Sequence, residues 1–119
     1  MKMELKGEAK LVRIFVGESD KHQHIPVYEQ IVIEARKAGL AGATVFKGIM
    51  GFGSNSRIHT SKILRLSEDL PLIIEIVDEY EKIEKFLPVL HNIFEEADCG
   101  GLITMEKADI IKYIASKQS

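Results

Sequence analysis

The sequence predicts a single α+β domain with the ferredoxin-like order βαββαβ, in which four mostly antiparallel strands carry two helices on one face. Three observations support this prediction. The chain has 119 residues, the length of one domain, so we expect one domain over residues 1–119. Short runs rich in β-branched residues alternate with two longer segments whose apolar residues recur at helical spacing. The elements follow one another as β-α-β, a loop, and β-α-β again.

The first half of the chain is predicted to hold a strand, a helix and a second strand. Leu11–Val16 is rich in β-branched and aromatic residues and stops at Gly17. Pro26 suits the first turn of a helix, whose apolar positions recur until Gly39 supplies a stop signal. Ala43–Phe52 predicts the second strand, in which glycines mark bulges or close approaches of the backbone.

A loop and the strongest strand signal open the second half. Residues 53–61 are polar and predict a loop, after which Ile63–Leu66 is a candidate for a short returning strand. Pro71 then introduces LIIEIV at Leu72–Val77, which predicts the third strand.

The second helix is predicted from Asp78 to about Ala97. Asp78 and Glu81 have the spacing of a capping box, and the apolar residues that follow keep a 3.6-residue period. Pro88 lies inside this pattern, where a proline removes a backbone hydrogen bond at a cost of about 3 kcal/mol. We therefore expect a kink, or a helix in two pieces.

The end of the chain follows a pair of glycines. LITM at Leu102–Met105 predicts the fourth strand. The segment ADIIKYI at residues 108–114 is a short amphipathic tail, and its pattern leaves open whether it forms a helix or continues the strand.

The sheet face that the helices leave open is predicted to be apolar. Side chains alternate between the two faces of a strand, so one face of LIIEIV presents Ile73, Glu75 and Val77. Arg13 likewise lies between apolar neighbours on its own strand. An exposed apolar face usually marks an interface, which predicts an oligomer. In the alternative, the C-terminal tail folds over this face.

Composition and charge exclude several classes of function. The net charge of −2 argues against a broad nucleic-acid or anionic-membrane surface. A single cysteine, Cys99, excludes an intrachain disulfide. No apolar run reaches the roughly 18 residues of a membrane helix, and no signal-peptide pattern is present, so we expect a cytoplasmic protein without membrane insertion. An RNA-binding sheet of this fold needs exposed aromatic side chains on its central strands and a basic face. The predicted open face has Arg13 and the acidic Glu75 there, and the chain has no tryptophan, which argues against RNA binding.

The stretch GIMGFGSNSRIHT at Gly48–Thr60 carries the strongest signal for a ligand. Its glycines allow a phosphate or an adenine edge to approach the backbone, whose N–H groups form an anion nest. Arg57 offers a forked donor for phosphate oxygens, and further positive or proton-carrying groups are Lys47, His59, Lys62 and Lys112. The alternative is that these glycines serve a bulged hairpin and that Arg57 is solvated.

Metal binding and catalysis have weaker support. The histidines and Cys99 are ligand types for transition metals, but their spacing is not that of a closed zinc site. Ser54, Ser56 and His59 are close in sequence, yet no acidic residue is placed to orient the histidine. From the residues alone we expect neither a resident metal nor an enzyme.

Three segments together resemble the PII-like nucleotide-binding signalling proteins, and more closely their small relatives of unknown function. They are GATVFKGIMGFG at Gly42–Gly53, LPLIIEIVDEYEKIEKFL at Leu70–Leu87 and GLITMEKADIIKY at Gly101–Tyr113. The resemblance spans Leu11 to about Lys112. It implies a homotrimer whose sheets face one another, with an adenine nucleotide in each lateral cleft and a loop between the second and third strands that contacts a protein target.

The resemblance also implies site residues. Thr44, Gly51, Phe52 and Gly53 would line the cleft. Glu75 would lie nearby on the third strand, Gly100 and Gly101 would form the phosphate-side loop, and Lys112 would replace a phosphate-binding arginine. By analogy with PII proteins, the target is a membrane transporter or channel.

Two differences from the PII pattern bear on which nucleotide binds and on how the protein is regulated. The loop DCGGL at Asp98–Leu102 lacks the lysine of PII proteins, so we expect ADP or AMP to bind more readily than ATP. The loop after the second strand is shorter and lacks the modifiable tyrosine, which argues against control by uridylylation. Two other hypotheses remain open: a trimeric metal-binding or metal-tolerance protein, and a slow phosphohydrolase that acts through His59.

Overall fold

A computed structural model describes residues 4–52, 59–60 and 70–116. Its main sheet has four strands, β1 (Glu4–Gly17), β2 (Thr44–Lys47), β3 (Pro71–Asp78) and β4 (Leu102–Ile114). They lie in the order β2-β3-β1-β4, and every neighbouring pair is antiparallel. The helices in the described part of the chain are α1 (Val27–Lys37) and α2 (Tyr80–Ala97). This is the ferredoxin-like α+β fold that the sequence predicts.

Two short hairpins complete the described strands. Lys21–His22 pairs with Ile25–Pro26 ahead of α1. Met50–Gly51 pairs with His59–Thr60 beyond β2. The second strand predicted over Ala43–Phe52 is therefore two separate strands, and the candidate strand Ile63–Leu66 lies outside the described residues.

The core lies between one face of the sheet and the two described helices. Every second residue of β3 is buried, because strand side chains alternate between the faces. The residues that share this core are Val12, Ile14 and Val16 of β1, Leu72, Ile74 and Ile76 of β3, Val27, Ile31 and Ala35 of α1, and Ile83, Phe86, Leu90 and Ile93 of α2. The predicted division of β3 into a core face and an open face is confirmed.

Pro88 lies inside one continuous helix, so the expectation of a helix in two pieces is wrong. Phe86 and Leu90, which flank the proline, are both buried in the same core. Packing of one apolar face along the whole helix offsets the hydrogen bond that the proline removes.

The capping box predicted at Asp78 and Glu81 is also wrong. Asp78 is the last residue of β3, and the N-cap position belongs to Glu79, without a side-chain cap. The Asp78 side chain is fully buried and accepts two backbone hydrogen bonds, from the amide of Ala41 at 2.8 Å and the amide of Glu79 at 2.7 Å. It therefore ties the loop before β2 to the end of β3.

The C-terminal tail is a strand, which the sequence pattern left open. β4 continues through residues 108–114 and pairs with the first residues of β1, so the two strands form a long antiparallel pair, the β1–β4 pair. In the described part of the chain, no helix is long and apolar enough to cross a membrane.

Candidate functional site

The open face of the sheet carries a row of apolar side chains that crosses all four strands. The strand register places Phe46 opposite Ile73, Ile73 opposite Phe15, and Phe15 opposite Leu102. The two ends of this apolar row are exposed, with 47% of Phe46 and 55% of Leu102 accessible to solvent. The tail does not cover them, which removes the alternative in which it shields the row.

The adjacent row on the same face is polar. Thr44 stands opposite Glu75, Glu75 opposite Arg13, and Arg13 opposite Thr104. Arg13 donates from Nε to Oε2 of Glu75 at 2.9 Å and from Nη1 to a carboxylate oxygen of Glu106 at 2.7 Å. The hydrogen bond with Glu75 raises the pKa of Arg13. The predicted site residues Thr44 and Glu75 are thus neighbours, and Glu75 already has a cationic partner.

The glycines after β2 pack against Pro71. A Cβ atom at Gly48 would lie 2.8 Å from Cγ of Pro71, and one at Gly51 would lie 3.1 Å from the same atom. The Gly48 amide donates to the Pro71 carbonyl at 2.7 Å, so it is not free to bind an anion. These contacts explain Gly48 and Gly51 by packing, as the hairpin alternative expects.

Near these glycines, the described side chains are mostly apolar and exposed. Phe52 is 68% exposed, and Ile49 and Met50 are exposed beside it. Lys47 forms an ion pair with Glu18, with Nζ and Oε2 2.9 Å apart. A phosphate would have to compete with this carboxylate for Lys47.

Gly101 fills a tight space directly before β4. A Cβ atom at Gly101 would overlap Cε1 of Phe94 and lie 2.9 Å from the carbonyl oxygen of Phe15. Gly100 is exposed. The neighbouring Cys99 packs against the core, and burial raises the pKa of its thiol, which favours the unreactive protonated form.

Lys112 lies at the opposite end of β4 from Gly101. The strand between them is about 36 Å long at roughly 3.3 Å per residue. The adjacent Tyr113 donates from its hydroxyl to the Ala41 carbonyl at 2.9 Å, so this end of β4 reaches the loop before β2. The structure thus places Lys112 near that loop and far along the strand from the glycine pair.

The remaining predicted site residues are only partly described. His59 pairs with Gly51 through the backbone. Gly53 and Arg57 lie outside the described residues. Across residues 4–52, 59–60 and 70–116, no group of three or more His, Cys, Asp or Glu side chains is arranged to hold a metal.

Three residues of this region, Glu106, Tyr113 and Ala41, were not predicted from the sequence. Glu106 shares Arg13 with Glu75. Tyr113 bonds to Ala41, which in turn bonds to Asp78. A sequence signal exists only for Glu106, which alternation along β4 places on the face of Thr104. The contact between Tyr113 and Ala41 depends on how the β1–β4 pair bends.

Comparison with known proteins places the sequence in a family. Residues 9–110 match the DUF190 family, whose description is Uncharacterized ACR. A UPF0166 protein of Aquifex aeolicus is 39% identical over 105 residues, which cover 86% of this chain and 92% of that protein. The UPF0166 protein MJ1524 of Methanocaldococcus jannaschii is 36% identical over 105 residues, covering 88% of this chain and 94% of that protein.

Solved structures share the fold. CPII, a nitrogen regulatory PII-like protein from Thiomonas intermedia K12, solved with ADP, AMP and bicarbonate bound, has a TM-score of 0.66 at 17% identity, covering 91% of each chain. Its apo form has a TM-score of 0.58 at 15% identity, covering 98% of this chain and all of that one. The PII-like, ferredoxin-like fold expected from the resemblance is confirmed.

The packing of Gly101 leads to a first prediction. Gly101→Ala should lower the free energy of unfolding by about 1–3 kcal/mol, because the added methyl group forces Phe94 or the β1 backbone to move. Denaturant unfolding of the ligand-free protein measures this loss. Gly42→Ala is the matched control, since a Cβ there meets nothing within 4 Å. Equal stability of the two variants would contradict a packing role for Gly101.

Proposed function

This chain belongs to the DUF190 family, and we propose that it is a PII-like regulatory protein without catalytic activity. It assembles as a homotrimer and binds an adenine nucleotide, ADP or AMP more readily than ATP, in clefts between subunits. A partner protein recognises the occupied state through residues 53–62. The observation that carries this proposal is the exposed apolar row on the open face of a PII-like fold.

The apolar row supports an oligomer. It crosses the full width of the sheet, from Phe46 at one edge to Leu102 at the other, and the described helices pack on the opposite face. Apolar surface of this kind is stabilised by removal from water, and a second copy of the same face supplies a complementary surface. Trimeric symmetry is the arrangement that the resemblance to PII proteins implies.

The positions of the site residues support a cleft shared between copies. Within one chain, Gly101 and Lys112 lie at opposite ends of β4, a separation longer than a nucleotide. A single nucleotide that contacts both Gly101 and Lys112 must therefore contact Gly101 of one copy and Lys112 of another. The proposed cleft residues are Thr44, Lys47, Gly51, Phe52, Gly53, Arg57, His59, Glu75, Gly100, Gly101 and Lys112.

The chemistry of these residues suits a nucleotide with few phosphates. The exposed ring of Phe52 offers a face for stacking of the adenine base. Lys112 supplies a positive charge for a phosphate, whereas Lys47 is already paired with Glu18 and DCGGL holds no lysine. The related fold of CPII, solved with ADP and AMP bound, is consistent with this preference. The proposed target class is a membrane transporter or channel.

Nucleotide binding is tested by a thermal-shift series followed by titration calorimetry. ADP and AMP should raise the melting temperature more than ATP, because a ligand that binds only the native state stabilises it. Lys112→Ala should weaken ADP binding about tenfold through loss of a charged hydrogen bond. Lys85→Ala removes an exposed lysine from α2 and should leave ADP affinity unchanged. No response to millimolar ATP, ADP or AMP would contradict the proposal.

The link between assembly and binding is tested on the apolar row. Phe46→Glu places a charge at one end of the row, where burial against another copy would remove it from water without a partner. The variant should fold, dissociate to monomers in sedimentation velocity, and lose ADP binding. Ile33→Glu is the control, because Ile33 is 43% exposed on α1, away from this face. A Phe46→Glu protein that keeps both its mass and its affinity would refute the shared cleft.

A further inference from the structure

Tyr113 ties the end of the β1–β4 pair to the loop that precedes β2. Its hydroxyl donates to the Ala41 carbonyl at 2.9 Å. The amide of the same residue, Ala41, donates at 2.8 Å to Asp78, whose side chain is fully buried. Both backbone groups of Ala41 are therefore bonded, its carbonyl to Tyr113 of β4 and its amide to the buried Asp78.

A bulge directs Tyr113 to this contact. Gly7 pairs with Ile110 and Leu5 pairs with Tyr113, so three steps along β4 correspond to two along β1. An extra residue in one strand bends the ladder and increases its twist. Gly7 has a φ of 92°, a backbone conformation that glycine adopts without strain. The β1–β4 pair thus bends near Gly7, and its end approaches the loop before β2, at the other edge of the sheet.

The two residues of this contact, Tyr113 and Ala41, are close in sequence to two residues of the proposed nucleotide site. Lys112 immediately precedes Tyr113, and Thr44 follows Ala41 by three residues as the first residue of β2. Lys112 is exposed at the end of the β1–β4 pair, where the two strands extend beyond β3, and two strands alone are only marginally stable without further contacts. When Tyr113 is fixed, the backbone at Lys112 has fewer conformations. Less conformational entropy is then lost when the Lys112 side chain binds a phosphate.

We propose that Tyr113 is a positioning residue that holds Lys112 ready for the nucleotide phosphate and couples it to the strand of Thr44. The inference rests on the proposed nucleotide-binding function. Loss of the hydroxyl alone should therefore weaken binding of ligands that carry a phosphate and leave contacts to adenosine unchanged. The effect should disappear when Lys112 is absent, because Tyr113 acts through that residue.

The test uses Tyr113→Phe, which keeps the ring and removes only the hydroxyl. In titration calorimetry, this variant should bind ADP about fivefold more weakly and bind adenosine as the wild type does. In a double-mutant cycle, Tyr113→Phe should cause no further loss in a Lys112→Ala background. Tyr80→Phe is the matched control, since the Tyr80 hydroxyl bonds only to exposed Glu84 on the same helix among the contacts described.

Hydrogen exchange of the ligand-free protein separates this inference from the proposed function. Backbone amides of residues 108–114 should exchange faster in Tyr113→Phe than in the wild type or in Tyr80→Phe. Unchanged exchange, equal losses for ADP and adenosine, or additive effects in the cycle would overturn the positioning role. If exchange rises as expected but the wild type binds no nucleotide, the structural role of the contact between Tyr113 and Ala41 is supported, while its role toward a phosphate and the proposed function are both overturned.

Discussion

The arrangement of this protein depends on a four-stranded sheet that is covered by helices on one face only. Burial of the even-numbered residues of β3 between the sheet and the two described helices supplies the core. Strand alternation then sends Phe15, Ile73 and their neighbours to the other face, where the register aligns them across the sheet. The apolar row is a geometric consequence of the same pairing that builds the core, and it is the surface that the proposed assembly of copies would remove from water.

The sequence predicted the fold well wherever the signal was local. The alternation in Leu72–Val77 identified both faces of the sheet correctly. The errors lie where distant residues decide the outcome: Pro88 is tolerated because the helix on both sides of it packs on one core, and Asp78 bonds to Ala41, far away in sequence. The strand state of the tail likewise depends on pairing with the first residues of β1.

The candidate site was harder to predict than the fold, because glycine has several physical uses. Gly48 and Gly51 look like a phosphate nest in the sequence, yet each avoids a clash with Pro71, a residue outside the motif. Gly101 has the same kind of explanation in Phe94. A ligand role for these positions therefore rests on the exposed side chains near them and on a neighbouring copy, since one chain keeps Gly101 and Lys112 apart.

The most direct test of this account is the mass of the wild-type protein in solution. Sedimentation equilibrium at micromolar chain concentration should give three times the 13.4 kDa mass of the chain. Addition of ADP should leave that mass unchanged, because the clefts form with the trimer. A mass of one chain over the whole concentration range would mean that the apolar row stays in water, and the shared nucleotide site would then have no structural basis.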